Sequence, residues 1–96
     1  MTPKQAFKFM QDKKMDFKEM MLLEQLATYP KEVLTQQVIN DAMKEKISSP
    51  ATTYKYLARL KRRKFAKDVT IKDQDERCHY IVIAEAGKEL LQQWSI

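Results

Sequence analysis

The chain has 96 residues, 44% of them apolar and 32% charged, with a formal net charge of +5. That length holds one modest core, the composition is not that of a disordered tail, and a single cysteine excludes an internal disulfide framework and points to a reducing compartment. No apolar run approaches the roughly 18 residues that cross a bilayer, and the N-terminus lacks the apolar core of a secretion signal, so a cytoplasmic protein without a membrane partner is expected.

The spacing predicts a short first helix over Pro3 to Met10, with Ala6, Phe7 and Met10 on one face, Thr2 as cap and Pro3 at the first helical position. Asp16 caps a stronger second helix. Its apolar stripe is Phe17, Met20, Met21, Leu23, Leu26 and Ala27, and Tyr29-Pro30 ends it. A third helix follows Thr35, turning Val38, Ile39, Ala42 and Met43 inward and closing in Lys44-Glu45-Lys46. The six methionines read as core filler.

After the apolar plug Ile47, Ser48 or Ser49 caps a fourth helix that begins at Pro50, where a missing amide hydrogen costs nothing. Thr53, Tyr56 or Leu57, and Leu60 share its inner face. Ala51, Thr52, Lys55, Arg59 and Arg62 share the other, which is small, polar and basic, as a helix entering a major groove requires. From Phe65 the period changes to two, and Tyr80–Ile83 forms a second β-rich run, so a hairpin with the charged tip Lys72–Arg77 is expected. Leu90, Leu91 and Trp94 then mark the packing face of a last helix over Glu85–Trp94.

Charge is distributed unevenly along this order. Between Lys46 and Lys72 nine Lys/Arg stand against one acid, Asp68, so this window is +8 and everything outside it sums to −3. A solvated face is the ordinary fate of a charge run, but such a face mixes signs. A nearly acid-free window of this length suits a polyanion, because each phosphate neutralised releases condensed counterions. Some of the four consecutive cations Lys61–Lys64 must simply complement the helix C-terminus.

Catalysis and metal binding find no comparable support. His79 is the sole histidine and adjoins Cys78, with no second pair to complete a tetrahedral zinc site. Gly87 is the sole glycine, so there is no phosphate-cradling loop. No enzyme, cofactor or metal is expected.

Helix, turn, basic helix and two-stranded hairpin is the winged helix-turn-helix arrangement. The chain resembles the MarR (multiple-antibiotic-resistance regulator) family of bacterial transcription factors and related phage and plasmid regulators. Ile47-Ser48-Ser49 with Ala51-Thr52-Thr53 is similar to the family's approach to its recognition helix, and Tyr56-Leu57-Ala58-Arg59-Leu60-Lys61 to the stretch that follows. Asp75-Glu76-Arg77 resembles the wing-tip Asp-x-Arg, and Ile83-Ala84-Glu85-Ala86-Gly87 the closing hydrophobic–Thr–x–x–Gly. The resemblance runs from about Asp16 to Gln93. Lys64 stands where the family usually has Gly, and Ala84 where it has a capping Thr.

The expectation is therefore one α+β, mostly α, winged-helix domain with a two-stranded wing and short terminal helices. Its parts are an N-terminal helix within 1–15, a helical core over 16–64 with the recognition helix at about 49–64, a wing over 65–83 and a C-terminal helix over 84–96. The resemblance implies double-stranded DNA as partner, a homodimer, and transcriptional regulation by operator occupancy. It places Ser49, Ala51, Thr52, Tyr54, Lys55, Arg59, Arg62 and Arg63 of the helix, and Lys67, Lys72, Asp75 and Arg77 of the wing, against DNA. Thr52 and Lys55 would meet base edges and Arg77 the minor groove, oriented by Asp75. Family members are longer, and the pocket that takes their phenolic ligands has little material here, so no small-molecule effector is expected. An alternative is a module docking an acidic protein such as a polymerase subunit; another is a replication or packaging factor.

Overall fold

In a computed structural model, which describes residues 2–71 and 78–94, the order is α1 (Pro3–Lys13), α2 (Phe17–Thr28), β1 (Val33–Leu34), α3 (Thr35–Lys44), α4 (Pro50–Arg62), β2 (Ala66–Val69), β3 (Tyr80–Ile83) and α5 (Glu85–Trp94). The fold is mostly helical, as expected. The sheet has three strands rather than two, in the order β1-β3-β2, all antiparallel. The added strand, β1, pairs Val33 with Ile81 and Leu34 with Tyr80. Two residues are too few to display a period, so only the partner strand reveals them.

α2 is the central helix, packed against α3, α4, α5 and β3. A helix enclosed on so many sides buries more than one stripe, and Leu22, Leu23, Met20 and Leu26 are all sealed. That corrects the predicted stripe: Leu22 joins the core, whereas Phe17, Met21 and Ala27 are exposed. Met43 is likewise exposed on α3, so of the methionines Met15 and Met20 fill the core while Met21 and Met43 do not. Val38, Ile39 and Ala42 of α3, Leu57 and Leu60 of α4, Ala66, Ile81 and Ile83 of the sheet and Leu90 of α5 complete the interior.

Three helices end in the same way, and no glycine is involved. Lys14, Lys46 and Lys64 hold φ of 55°, 59° and 66°. In each case the next residue donates its backbone N–H to a carbonyl five positions back: Met15 to Met10, Ile47 to Ala42 and Phe65 to Leu60, all at 2.9 Å. Each Lys is followed by an apolar residue that packs on the core, which is the hydrophobic contact of a Schellman ending. The left-handed conformation costs a residue with a Cβ on the order of 1 kcal/mol. Packing of the following residue offsets it. Lys64 thus does the work of the glycine its position resembles.

The real need for glycine lies at Gly87 in α5. A Cβ there would fall 2.3 Å from the Phe65 carbonyl oxygen and 2.9 Å from Ile83 Cγ1. That same oxygen accepts the Ala84 N–H at 2.9 Å, tying the start of α5 to the turn after α4. α1 has no buried residue of its own and attaches through its C-terminal half, where Phe9 and Met10 pack against the core. Phe9 stacks at a tilt on Trp94 with ring centroids 5.5 Å apart, which makes Trp94 a packing residue between the terminal helices. No helix among the described residues is long and apolar enough to cross a membrane.

Candidate nucleic-acid interface

α3 and α4 form the helix-turn-helix pair, and the turn between them is set by Lys46 and Ile47. Tyr29 fastens α3 to α2: its hydroxyl donates to Asp41 Oδ2 at 2.6 Å and accepts from Gln25 Nε2 at 2.9 Å. Burial, then the Asp41 hydrogen bond, push the phenol pKa up to about 12. Tyr29 therefore stays a neutral donor to Asp41 across the ordinary pH range.

The N-terminus of α4 is closed by hydroxyls. Ser49 Oγ accepts the Thr52 N–H at 3.3 Å and donates to Thr52 Oγ1 at 3.0 Å. Thr53 is buried and donates its hydroxyl to the Ser49 carbonyl at 2.8 Å, with the Ser48 hydroxyl beside it. Thr53, Leu57 and Leu60 then seat the helix on the core. Opposite them, Ala51, Lys55 and Arg62 lie at i, i+4 and i+11 along one exposed stripe, with Tyr54 also exposed beside it. Lys55 and Arg62 make no ion pair with another described residue.

The other cations of α4 are committed. Arg59 Nη1 lies 3.2 Å from Asp16 Oδ2 and 3.5 Å from Glu19 Oε1. Arg63 Nη1 lies 3.6 Å from Glu19 Oε2 and donates to the Lys14 carbonyl at 2.9 Å, its Nη2 donates to the Lys13 carbonyl, and its guanidinium rests 5.2 Å from the centre of the Phe65 ring. Lys61 pairs with Asp68 on β2 at 3.1 Å. Arg59 and Arg63, expected against DNA, sit on the flank turned to α1 and α2, where Nη1 of Arg59 and both Nη atoms of Arg63 already meet acids or carbonyls. Tyr56, expected in the core, is half-buried on the same flank. It donates to Asp16 Oδ2 at 3.1 Å, and burial followed by that hydrogen bond raises its pKa.

Of the remaining expected contacts, Ser49 is exposed, and Thr52 is partly buried with its hydroxyl turned to Ser49. Lys67 is exposed on β2 opposite Val82. Lys72, Asp75 and Arg77 lie outside the described residues. Lys46 and Lys64 are exposed at the two ends of the α4 segment, held there by their left-handed backbone. They belong beside Lys55 and Arg62 as candidate phosphate contacts. The charge window contained them, but no spacing rule marks a cation displayed by a helix end.

Between the N-terminus of α3, the Tyr54–Lys61 flank of α4 and the wing runs an open cleft of about 600 Å³, lined in part by Thr35, Asp68, Cys78 and His79. Cys78 and His79 meet no further ligand there: among the described residues no group of three or more His, Cys, Asp or Glu could hold a metal.

A buried-backed helix presenting small and basic side chains, preceded by a packed helix and followed by a β-wing, defines a winged helix-turn-helix protein. Comparison with solved structures narrows the class. The chain is similar to a mutant of MepR from S. aureus bound to an oligodeoxyribonucleotide (TM-score 0.78, 17% identity, 96% of this chain and 64% of that one). It is also similar to NadR in complex with 4-hydroxyphenylacetate (TM-score 0.72, 17% identity, 96% of this chain and 61% of that one) and to the transcriptional regulator PA4135 (TM-score 0.70, 18% identity, 96% of this chain and 66% of that one). The fold is MarR-like. The chain spans about 64% of the length of MepR. No protein-family model and no curated protein matches the sequence.

Proposed function

We propose that this chain binds double-stranded DNA sequence-specifically and regulates transcription by occupying an operator. The observation that carries the reading is the outward stripe of α4. Ala51 gives close approach, while Lys55 and Arg62 pair with no carboxylate among the described residues, on a fold similar to one solved with an oligodeoxyribonucleotide bound. Lys55 would read guanine acceptors; Arg62, Lys46, Lys64 and Lys67 would contact phosphates, and Ser49, Thr52 and Tyr54 would border the same groove. Lys72 and Arg77, with Asp75, are proposed to carry the contact onward at the wing. A homodimer would present two such helices to half-sites about one helical turn apart.

Selecting bound duplexes from a random pool tests this, followed by gel-shift titration over a salt series. A palindromic consensus, with affinity falling steeply as salt rises, is the expected outcome. Equal affinity for selected and random duplexes would sink the sequence-reading role.

One observation favours a second reading, docking to an acidic protein. Tyr54 is 63% exposed and Leu34 39% exposed, and both line the same cleft, so an aromatic anchor stands beside the basic stripe. Leu34→Ala, which lies outside the DNA stripe, separates the two: it should leave DNA affinity nearly intact if the groove reading holds, and weaken binding markedly if a protein seated in that cleft is the partner.

A further inference from the structure

We propose that Glu19 is a positioning residue for α4: it sets the rotation and tilt at which the Ala51–Lys55–Arg62 stripe meets DNA. This rests on the DNA reading above and adds to it a residue that would touch no nucleotide.

Glu19 is completely buried, a rare situation for a carboxylate, and it is buried between two arginines of a single helix. Its two oxygens are divided between them: Oε1 faces Arg59 at 3.5 Å and Oε2 faces Arg63 at 3.6 Å. Positions i and i+4 lie one turn apart on one flank of α4, so two tethers to a single anchor restrain both rolling about the helix axis and tilting of it. The anchor itself is fixed. Glu19 sits in the first turn of α2, and Oε1 also accepts the Asp16 backbone N–H at 3.2 Å, closing the N-terminus of that helix. Arg63 extends the tether to the last carbonyls of α1 and to Met15 Sδ at 2.8 Å.

Apolar packing by Leu57 and Leu60 alone would hold α4 down but would tolerate small rotations, because hydrophobic contact is not directional. The two ion pairs, at 3.5 and 3.6 Å and longer than hydrogen bonds, instead hold that flank of α4 at two points one turn apart on a single carboxylate, whose Oε2 accepts no hydrogen bond among the described residues. The same pairs take two cations out of the external field, so attraction to phosphate is centred on Lys55 and Arg62 and not smeared around the helix. Glu19 would act on aim and on charge focusing together.

The test compares binding of a selected duplex and a random duplex by wild type and by Glu19→Gln, which keeps the side chain's size and removes its charge. Protein concentrations are corrected for the folded fraction measured by circular dichroism. The expected result is a fall of about tenfold in the ratio of selected to random affinity, comparable to the loss of one base contact. A simple loss of stability would lower both affinities together and leave the ratio unchanged. Should Glu19→Gln fail to fold, Asp16→Asn carries the test: Asp16 is half-exposed, its loss frees one side of Arg59, and the ratio should fall about threefold in the same direction. A folded variant with the wild-type ratio overturns the inference and leaves the DNA reading standing. A wild-type chain with no preference for any duplex removes both.

Discussion

The two flanks of α4 carry the same kind of side chain to opposite ends. On the flank facing α1 and α2, Arg59 and Arg63 reach Asp16, Glu19 and the carbonyls of Lys13 and Lys14. On the outward stripe, Lys55 and Arg62 meet no carboxylate among the described residues and remain exposed. These positions differ by less than one helical turn. A cation count along a helix therefore measures the charge available to a partner only after the protein's own acids have taken their share. Here the inward cations fix the geometry in which the outward ones are displayed.

Five substitutions probe that division, beginning with the inward flank. Glu19→Gln should destabilise the chain by about 3 kcal/mol in urea denaturation, since it leaves two guanidinium groups without their buried counter-charge. Gly87→Ala is the control for stability without charge. Its Cβ must displace the Phe65 carbonyl, at a cost of about 2 kcal/mol by overpacking, while the ratio of selected to random duplex affinity stays at the wild-type value. A change in that ratio would show that α5 also aims the helix.

On the outward stripe stability should stay within about 0.5 kcal/mol of wild type. Lys55→Ala should weaken the preferred duplex by roughly 1–2 kcal/mol and relax the base preference at that point. Arg62→Ala should weaken every sequence alike and reduce the salt slope of log K by about one. If either melts like Glu19→Gln, the stripe is structural and the contrast between flanks fails. The smallest effect belongs to Lys64→Gly, which relieves the left-handed backbone and should stabilise by roughly 0.5–1 kcal/mol. A loss of stability there would mean that the lysine side chain holds a contact of its own.

Much of the architecture was legible because its causes are local. Thr2, Asp16 and Ser49 precede helices, Pro3 and Pro50 stand at first helical positions, and the change to a period of two after Phe65 marks the wing. What was misjudged depended on neighbours distant in sequence. Phe17, Met21 and Met43 have core chemistry but remain exposed. Leu22 is buried because α2 is enclosed on several sides. Val33–Leu34 becomes a strand only because β3 offers it an edge.

Sequence alone determined where the helices start, though α1 runs on to Lys13, past the expected end at Met10, that the positive charge gathers on one helix and the hairpin after it, and that this helix has one small, basic face. Hydrogen bonds within four residues and the 3.6-residue period act before any long-range contact forms. Tertiary structure alone decided which cations of α4 meet acids among the described residues. Arg59 and Arg63 meet acids 43 and 44 positions away, in Asp16 and Glu19 respectively. Only the packing of α2 against α4 brings those charges within a few ångströms, where Coulomb attraction in a partly desolvated site outweighs exposure to water.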